Sequence, residues 1–345
     1  MKITGLKKTL IVLIIVLIIM PILSACSQQD NEQETGSENG EEKENIIFTN
    51  AGWDSIGFHN AVAQTIIEEG YGYPTEEILA SEQMSLLGLQ QGDVNVYMEI
   101  WTGNIIDKYN ETVEKGEIIE LGINYSDNEQ GLYVPTYVIE GDPERGIEPM
   151  APDLKNIKDL EKYPHVFPDE EDHSMGRIYA SIPGWTANEN LQEKLATYGL
   201  DQYYNYFQAG SDASLSASIV SAYENGDAWV GYYWEPTWVT GKYDMTLLED
   251  DPYDDEKWKD GNACKFPSQD LTIAVDVDFP ERAPEIVEFL KQYKTSSEIT
   301  SSALAYMEEN DTDLYETAHW FLKEYEDLWI GWVPEDVGEK VKEAI

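Results

Sequence analysis

Two stretches of this chain share one pattern, and together they restrict the fold more than any other feature. Gly92-Asp93-Val94-Asn95-Val96-Tyr97-Met98-Glu99-Ile100-Trp101 and Gly226-Asp227-Ala228-Trp229-Val230-Gly231-Tyr232-Tyr233-Trp234-Glu235 both open with Gly-Asp and both end with a Trp near an acid. Each follows a run of helical spacing that closes at the glycine: Glu82 to Gln91 in one case, Ala213 to Asn225 in the other. A helix that stops at Gly and feeds an apolar strand is half of an α/β unit. The spacing from Gly to Trp differs by one residue, so this is an echo and not a strict repeat. Two such units, each delivering an indole at a strand end, predict two lobes that face one cleft.

The flanking segments extend the pattern. Ile46 to Asn50 reads as a first strand, Gly52-Trp53-Asp54-Ser55 as the turn after it, Phe58 to Glu69 as a helix, and Glu76 to Ala80 as a second strand. A β-α-β-α-β order implies a parallel sheet, with ligands beyond the C-terminal ends of its strands. Trp53 and Trp101 both occupy that edge. Leu132 to Ile139 is strand-like, and Pro135 within it suggests an edge or a crossing between lobes. Arg177 to Ile182 is another strand, followed by Pro183-Gly184-Trp185-Thr186 and a helix from Glu189 to Tyr198. Tyr203 to Gln208 is a short strand or turn, and Leu271 to Val275 a strand. Helices are expected over Pro284–Tyr293, Ser296–Met307 and Leu314–Tyr325. The expected fold is α/β with two lobes and two crossovers. Lobe one takes residues 46–134 and 243–345, and lobe two takes 135–242. The crossovers would serve as a hinge.

The chain's 345 residues carry 22 basic and 67 acidic side chains, a net charge of −45. Phosphates would be repelled, which disfavours nucleic acid, so none is expected as a partner, and also disfavours docking on anionic lipid. The charge reads as a solubility device for salty or alkaline surroundings. Acidic clusters such as Glu249-Asp250-Asp251 lack the spaced ligands and turn glycine of a calcium loop. Lys2, Lys7 and Lys8 precede an unbroken apolar run from Leu10 to Met20 and then Leu23-Ser24-Ala25-Cys26. This is the order of a secretory signal, with an apolar run too short to span a bilayer comfortably. Leu-Ser-Ala-Cys resembles the lipobox of bacterial lipoproteins, in which the Cys becomes the lipid-modified first residue. Residues 1–25 are then a cleaved signal, and 26–45 are the lipidated Cys26 and a disordered acidic tether. The protein would sit outside the cytoplasm, anchored by lipid to the outer face of the bacterial cell membrane. Only Cys264 would remain, too little for an internal disulfide or a thiolate zinc site. No metal or cofactor is expected.

Several indoles at strand ends in an acidic protein point to a cation that cannot donate ordinary hydrogen bonds. Trp faces attract quaternary ammonium, worth roughly 0.5–2 kcal/mol per ring. Trp53, Trp101 and Trp234 are the primary candidates for such a cage, with Trp185 and Tyr133 beside them. The Gly52–Ser55 and Gly184–Thr186 turns can offer backbone N–H groups to a carboxylate. Cage and nest together suit a zwitterion such as a betaine. Trp229, Tyr232, Trp238, Trp258, Trp320, Trp329 and Trp332 are assigned to packing. Asp54, Glu99 and Glu235 are read as structural acceptors. An alternative is an extracellular glycoside hydrolase using Glu99 and Glu235, whose carboxyls would need to lie roughly 5–10 Å apart. A sugar or amino-acid binder of the same fold is a third, with Asp54 available to a primary ammonium.

The lipobox, the Gly-Trp-Asp turn, the Gly92–Asn104 stretch and Gly-Tyr-Tyr-Trp-Glu-Pro-Thr-Trp at 231–238 resemble the glycine betaine/choline substrate-binding proteins of ABC importers, the OpuAC type. The likeness runs over residues 46–345. It implies a two-lobe periplasmic-binding-protein fold, an aromatic box in the cleft, and delivery of the ligand to a membrane permease with its cytoplasmic ATPase. A non-enzymatic monomer is expected. By motif, Trp53, Trp101 and Trp234 are box residues, and Tyr133 a further match. Ser55 stands where choline-binding relatives can place an acid, which leans towards a carboxylated ligand, glycine betaine. Trp185 occupies a turn that varies in the family. Choline, proline betaine and carnitine stay open as ligands.

Overall fold

The computed structural model describes residues 43–267 and 269–345. The signal segment, Cys26 and most of the tether lie outside them. Lys43, three residues before the strand that was expected to open the fold, already makes contacts to it. Its ammonium reaches the Tyr71 carbonyl and lies 4.1 Å from the centre of the Tyr73 ring.

The strands among the described residues are, in chain order, β1 (Ile46–Asn50), β2 (Thr75–Leu79), β3 (Val96–Trp101), β4 (Ile119–Tyr125), β5 (Glu129–Pro135), β6 (Gly176–Tyr179), β7 (Tyr204–Phe207), β8 (Gly231–Glu235), β9 (Met245–Leu247) and β10 (Leu271–Val275). They form two sheets of equivalent plan, β2-β1-β3-β10-β4 and β7-β6-β8-β5-β9. In each, three neighbouring strands are parallel and the last two join antiparallel. The Gly-Asp echo therefore has a structural meaning, because β3 and β8 hold the same place in their sheets. β3 is buried along its whole length, as a strand covered on both faces must be.

The glycines of the echo close the preceding helices. Glu82–Gln91 ends at Gly92 with φ 75°, and Asp212–Asn225 ends at Gly226 with φ 74°. This left-handed conformation strains any residue with a Cβ. In both, the amide of the following Asp bonds back to a carbonyl five residues earlier: Asp93 to Gly88, and Asp227 to Ala222. Both helices open on a capping serine, Ser81 and Ser211.

The crossovers differ from expectation. The chain leaves the first sheet after Tyr125 and enters the second at Glu129; it returns between Leu247 and Leu271. β5 and β9 thus belong to the second sheet, although boundaries at 134/135 and 242/243 would have put residues 129–134 and 245–247 in lobe one. β5 is held there by its antiparallel ladder to β8, from Glu129 opposite Glu235 to Tyr133 opposite Gly231. The strand stops at Pro135, and Thr136–Glu140 is helical instead of continuing to Ile139. The helices Ser297–Asn310 and Leu314–Glu324 return to pack on the first lobe. Leu314–Glu324 lies against Asp54–Thr65, while Ser297–Asn310 also touches the short helix Trp238–Lys242 after β8.

Candidate functional site

Equivalent positions in the two lobes supply the four central indoles. β1 and β6 occupy matching places in their sheets, and each is followed by a Gly-Trp turn that opens a helix. Gly52 has φ 92° and Gly184 has φ 94°. Trp53 precedes the helix Asp54–Thr65, and Trp185 precedes Thr186–Thr197. β3 and β8 each run out to a Trp, Trp101 and Trp234. All four side chains are 3–7% exposed and line one cavity of about 20 Å³ with Tyr232, Glu82, Asn104 and Ala187. Trp185 meets Trp53 edge-on at 5.3 Å and Trp234 edge-on at 5.1 Å. Tyr232 stacks on Trp234 at 5.9 Å. An indole face turned to such a space attracts a cation.

One carboxylate holds two of these four indoles. Glu99 Oε1 accepts from the Trp53 indole N–H at 2.9 Å, the Trp101 indole N–H at 3.0 Å and the Ser55 hydroxyl at 2.9 Å. Its other oxygen has no hydrogen bond among the described residues and lies 3.8 Å from His59 Nε2. Burial pushes the Glu99 carboxyl up to about 7 against the pull of these donors, and pushes His59 down to about 3.

The sequence candidates thus sort clearly. Trp53, Trp101, Trp185 and Trp234 come together around one space. Ser55 sits beneath it, on Glu99. Tyr133 does not line the cavity: it lies on β5 opposite Gly231, and its hydroxyl donates to Glu235 Oε1 at 3.3 Å. The tyrosine of the wall is Tyr232, which was assigned to packing; its hydroxyl donates to Gln130 Oε1 at 2.8 Å. Strand alternation carried that signal, since Tyr232 and Trp234 lie two apart on β8 and share a face. Glu82 and Asn104 were missed. They follow β2 and β3 directly, so the strand-end argument that found the indoles applied to them too.

The lobes meet across the cleft through matched polar contacts. The Trp185 indole N–H donates to the Ala51 carbonyl at 2.9 Å. The Thr186 amide donates to Glu82 Oε2 at 2.7 Å, and the Asp54 amide to Asp212 Oδ2 at 3.3 Å. Burial raises the carboxyls of Glu82, Asp54 and Asp212. Asp212 reaches about 7, the charge of Asp54 adding to its burial. Of the buried carboxylates Asp54, Glu82, Glu99 and Asp212, of which Glu82 lines the cavity, none is salt-bridged to a Lys or Arg among the described residues.

Comparison with known proteins gives this arrangement a context. Residues 44–324 match the model of the OpuAC family, described as the substrate binding domain of ABC-type glycine betaine transport system. A stretch of 115 residues is 26% identical to the glycine betaine-binding periplasmic protein OusX of Dickeya dadantii (strain 3937), covering 30% of this chain and 34% of that relative. Among solved structures, an ABC-transporter choline binding protein in complex with choline superposes with a TM-score of 0.69 at 19% identity, over 87% of this chain and 97% of the other. The glycine/betaine/L-proline-binding protein ProX from Borrelia burgdorferi gives 0.67 at 17%, over 86% and 99%. Lactococcal OpuAC, closed on glycine betaine, gives 0.66 at 15%, over 85% and 100%. The architecture is the two-lobe periplasmic-binding-protein fold.

Proposed function

This chain belongs to the OpuAC family of substrate-binding domains of ABC-type glycine betaine transport systems, and on that premise we propose that it captures a small quaternary ammonium solute between Trp53, Trp101, Trp185, Trp234 and Tyr232. Members of this family bind solutes and are not enzymes. The glycosidase alternative falls with that, and each of its carboxyls has another occupation: Glu99 anchors two indoles, and Glu235 accepts from Tyr133.

The observation that carries the proposal is four indoles and a tyrosine around one small space, with the buried carboxylate of Glu82 in its wall and no Lys or Arg among the described lining residues. A methylated ammonium satisfies such a site without a hydrogen bond, because ring faces and carboxylates supply the field. The captured solute would pass to a membrane permease and its ATPase. Capture would occur outside the cytoplasm by a monomer tethered through lipid on Cys26, a role motivated by Leu-Ser-Ala-Cys after an apolar run.

Intrinsic tryptophan fluorescence titrated with glycine betaine, choline, proline and glucose tests the cage. A saturable change with methylated ammonium solutes, and none with proline or glucose, is expected. Trp101→Ala and Trp234→Ala should each weaken binding by about 1–3 kcal/mol, from lost ring attraction and buried area. Normal binding by both variants would sink the cage.

A further inference from the structure

The two helix starts that suit a ligand carboxylate are already engaged by the protein's own acids, and they are engaged reciprocally. Thr186 opens the helix after the Gly184-Trp185 turn of the second lobe, and its amide is taken by Glu82 of the first lobe at 2.7 Å. Asp54 opens the helix after the Gly52-Trp53 turn of the first lobe, and its amide is turned to Asp212 of the second at 3.3 Å. Glu82 and Asp212 hold the same place in their lobes, each directly after a capping serine at the start of the helix that leads to β3 or β8. Of the two, Glu82 also forms part of the cage wall, alongside the indoles.

We infer that Glu82 is a specificity-determining residue that makes the cage select a quaternary ammonium alcohol such as choline, a ligand of net positive charge without a carboxylate, over a zwitterionic betaine. This rests on the cage reading above and deepens it. Glu82 is 3% exposed and is salt-bridged to no Lys or Arg among the described residues. Its hydrogen bond from the Thr186 amide offsets a buried negative charge only in part, which is why burial raises its carboxyl and why a nearby cation would favour its ionised form. An ammonium seated among the indoles would lie in the same cavity and offset that charge. A betaine brings the same ammonium but also a second carboxylate. That carboxylate would meet Glu82 as a like charge and compete with it for the Thr186 amide, the donor it needs. Ser55, which without an acid leaned towards a carboxylated ligand, is engaged by Glu99 below the cage and does not decide the matter.

The test compares choline and glycine betaine on the purified full chain, wild type and Glu82→Gln, by tryptophan fluorescence or calorimetry. The wild type is expected to bind choline at least about tenfold more tightly than glycine betaine. Glu82→Gln is expected to weaken choline about tenfold more than glycine betaine, and Glu82→Asp to keep the choline preference. Tighter glycine betaine in the wild type overturns the inference, and so does an equal loss of both ligands in Glu82→Gln, which would make Glu82 a closure contact only. The wild-type comparison needs no variant, so the inference stays open to refutation even if Glu82→Gln does not fold. If neither solute binds the wild type, the cage reading itself fails, an outcome distinct from binding with the opposite preference.

Discussion

At the scale of single residues, Glu99 carries the most consequence. It is fully buried, and its carboxyl titrates near 7 instead of 4.5 because burial penalises the charged form. The folded protein therefore holds that proton more tightly than the unfolded chain. Between about pH 4.5 and 7 the folded state binds more protons, so stability falls as pH rises through that window. The full effect is on the order of 3 kcal/mol. His59, Tyr125 and Tyr293 surround this corner, and His59, pushed down to about 3, stays neutral throughout. Glu99→Gln keeps an oxygen for Trp53, Trp101 and Ser55 but cannot ionise. Its denaturation midpoint should lose part of that slope, while solute binding stays within a few-fold of wild type; an unchanged slope would show that other groups, Asp212 foremost, carry it. The indoles of the site were legible in the sequence because Trp at a strand end is rare and conspicuous. Glu82 was not, since one acid among 67 in a very acidic chain carries no signal until its burial is known.

At the scale of elements, the parallel core was legible and the edges were not. β3 and β8 announced themselves through Gly-Asp followed by apolar runs, because the glycine must adopt a left-handed conformation to end the helix. β4 was overlooked: Ile119, Leu121 and Ile123 alternate, but the strand is an edge with half-exposed residues and Glu120 and Gly122 interrupt it. β9 is three half-buried residues, short enough that only its ladder to β5 defines it. Gly231 in β8 offers a test of how tightly the second sheet is packed. A Cβ there would lie 2.6 Å from the Tyr179 Cβ and 2.7 Å from the Trp229 ring. Gly231→Ala should destabilise the fold by about 1–3 kcal/mol, read as a lower denaturation midpoint. Ser211→Ala, which removes only a helix cap, should cost about 1 kcal/mol.

For the whole molecule, charge and capture should respond to salt in opposite ways. With a net charge of −45, self-repulsion is partly relieved by screening, so the melting temperature should climb between low and moderate salt. Solute affinity should hardly change over the same range, because the cage is buried from the solvent ions. A steep loss of affinity would instead place the solute at a surface ion pair. The lobe boundaries were less legible than the lobes, since the polar turn Ser126-Asp127-Asn128 is ordinary loop composition and only the sheet to which β5 belongs identifies it as a crossover. Trp53 and Trp101 are both fixed by an oxygen of their own lobe, so half of the receptor is assembled before the other half arrives. A solute can then land first on the amino-terminal lobe, with the second lobe folding over it afterwards. Stopped-flow fluorescence should show a fast phase proportional to solute concentration, then a slower phase that saturates. How long the cargo waits for its transporter is then set by the reopening of the hinge and not by the grip of any single ring.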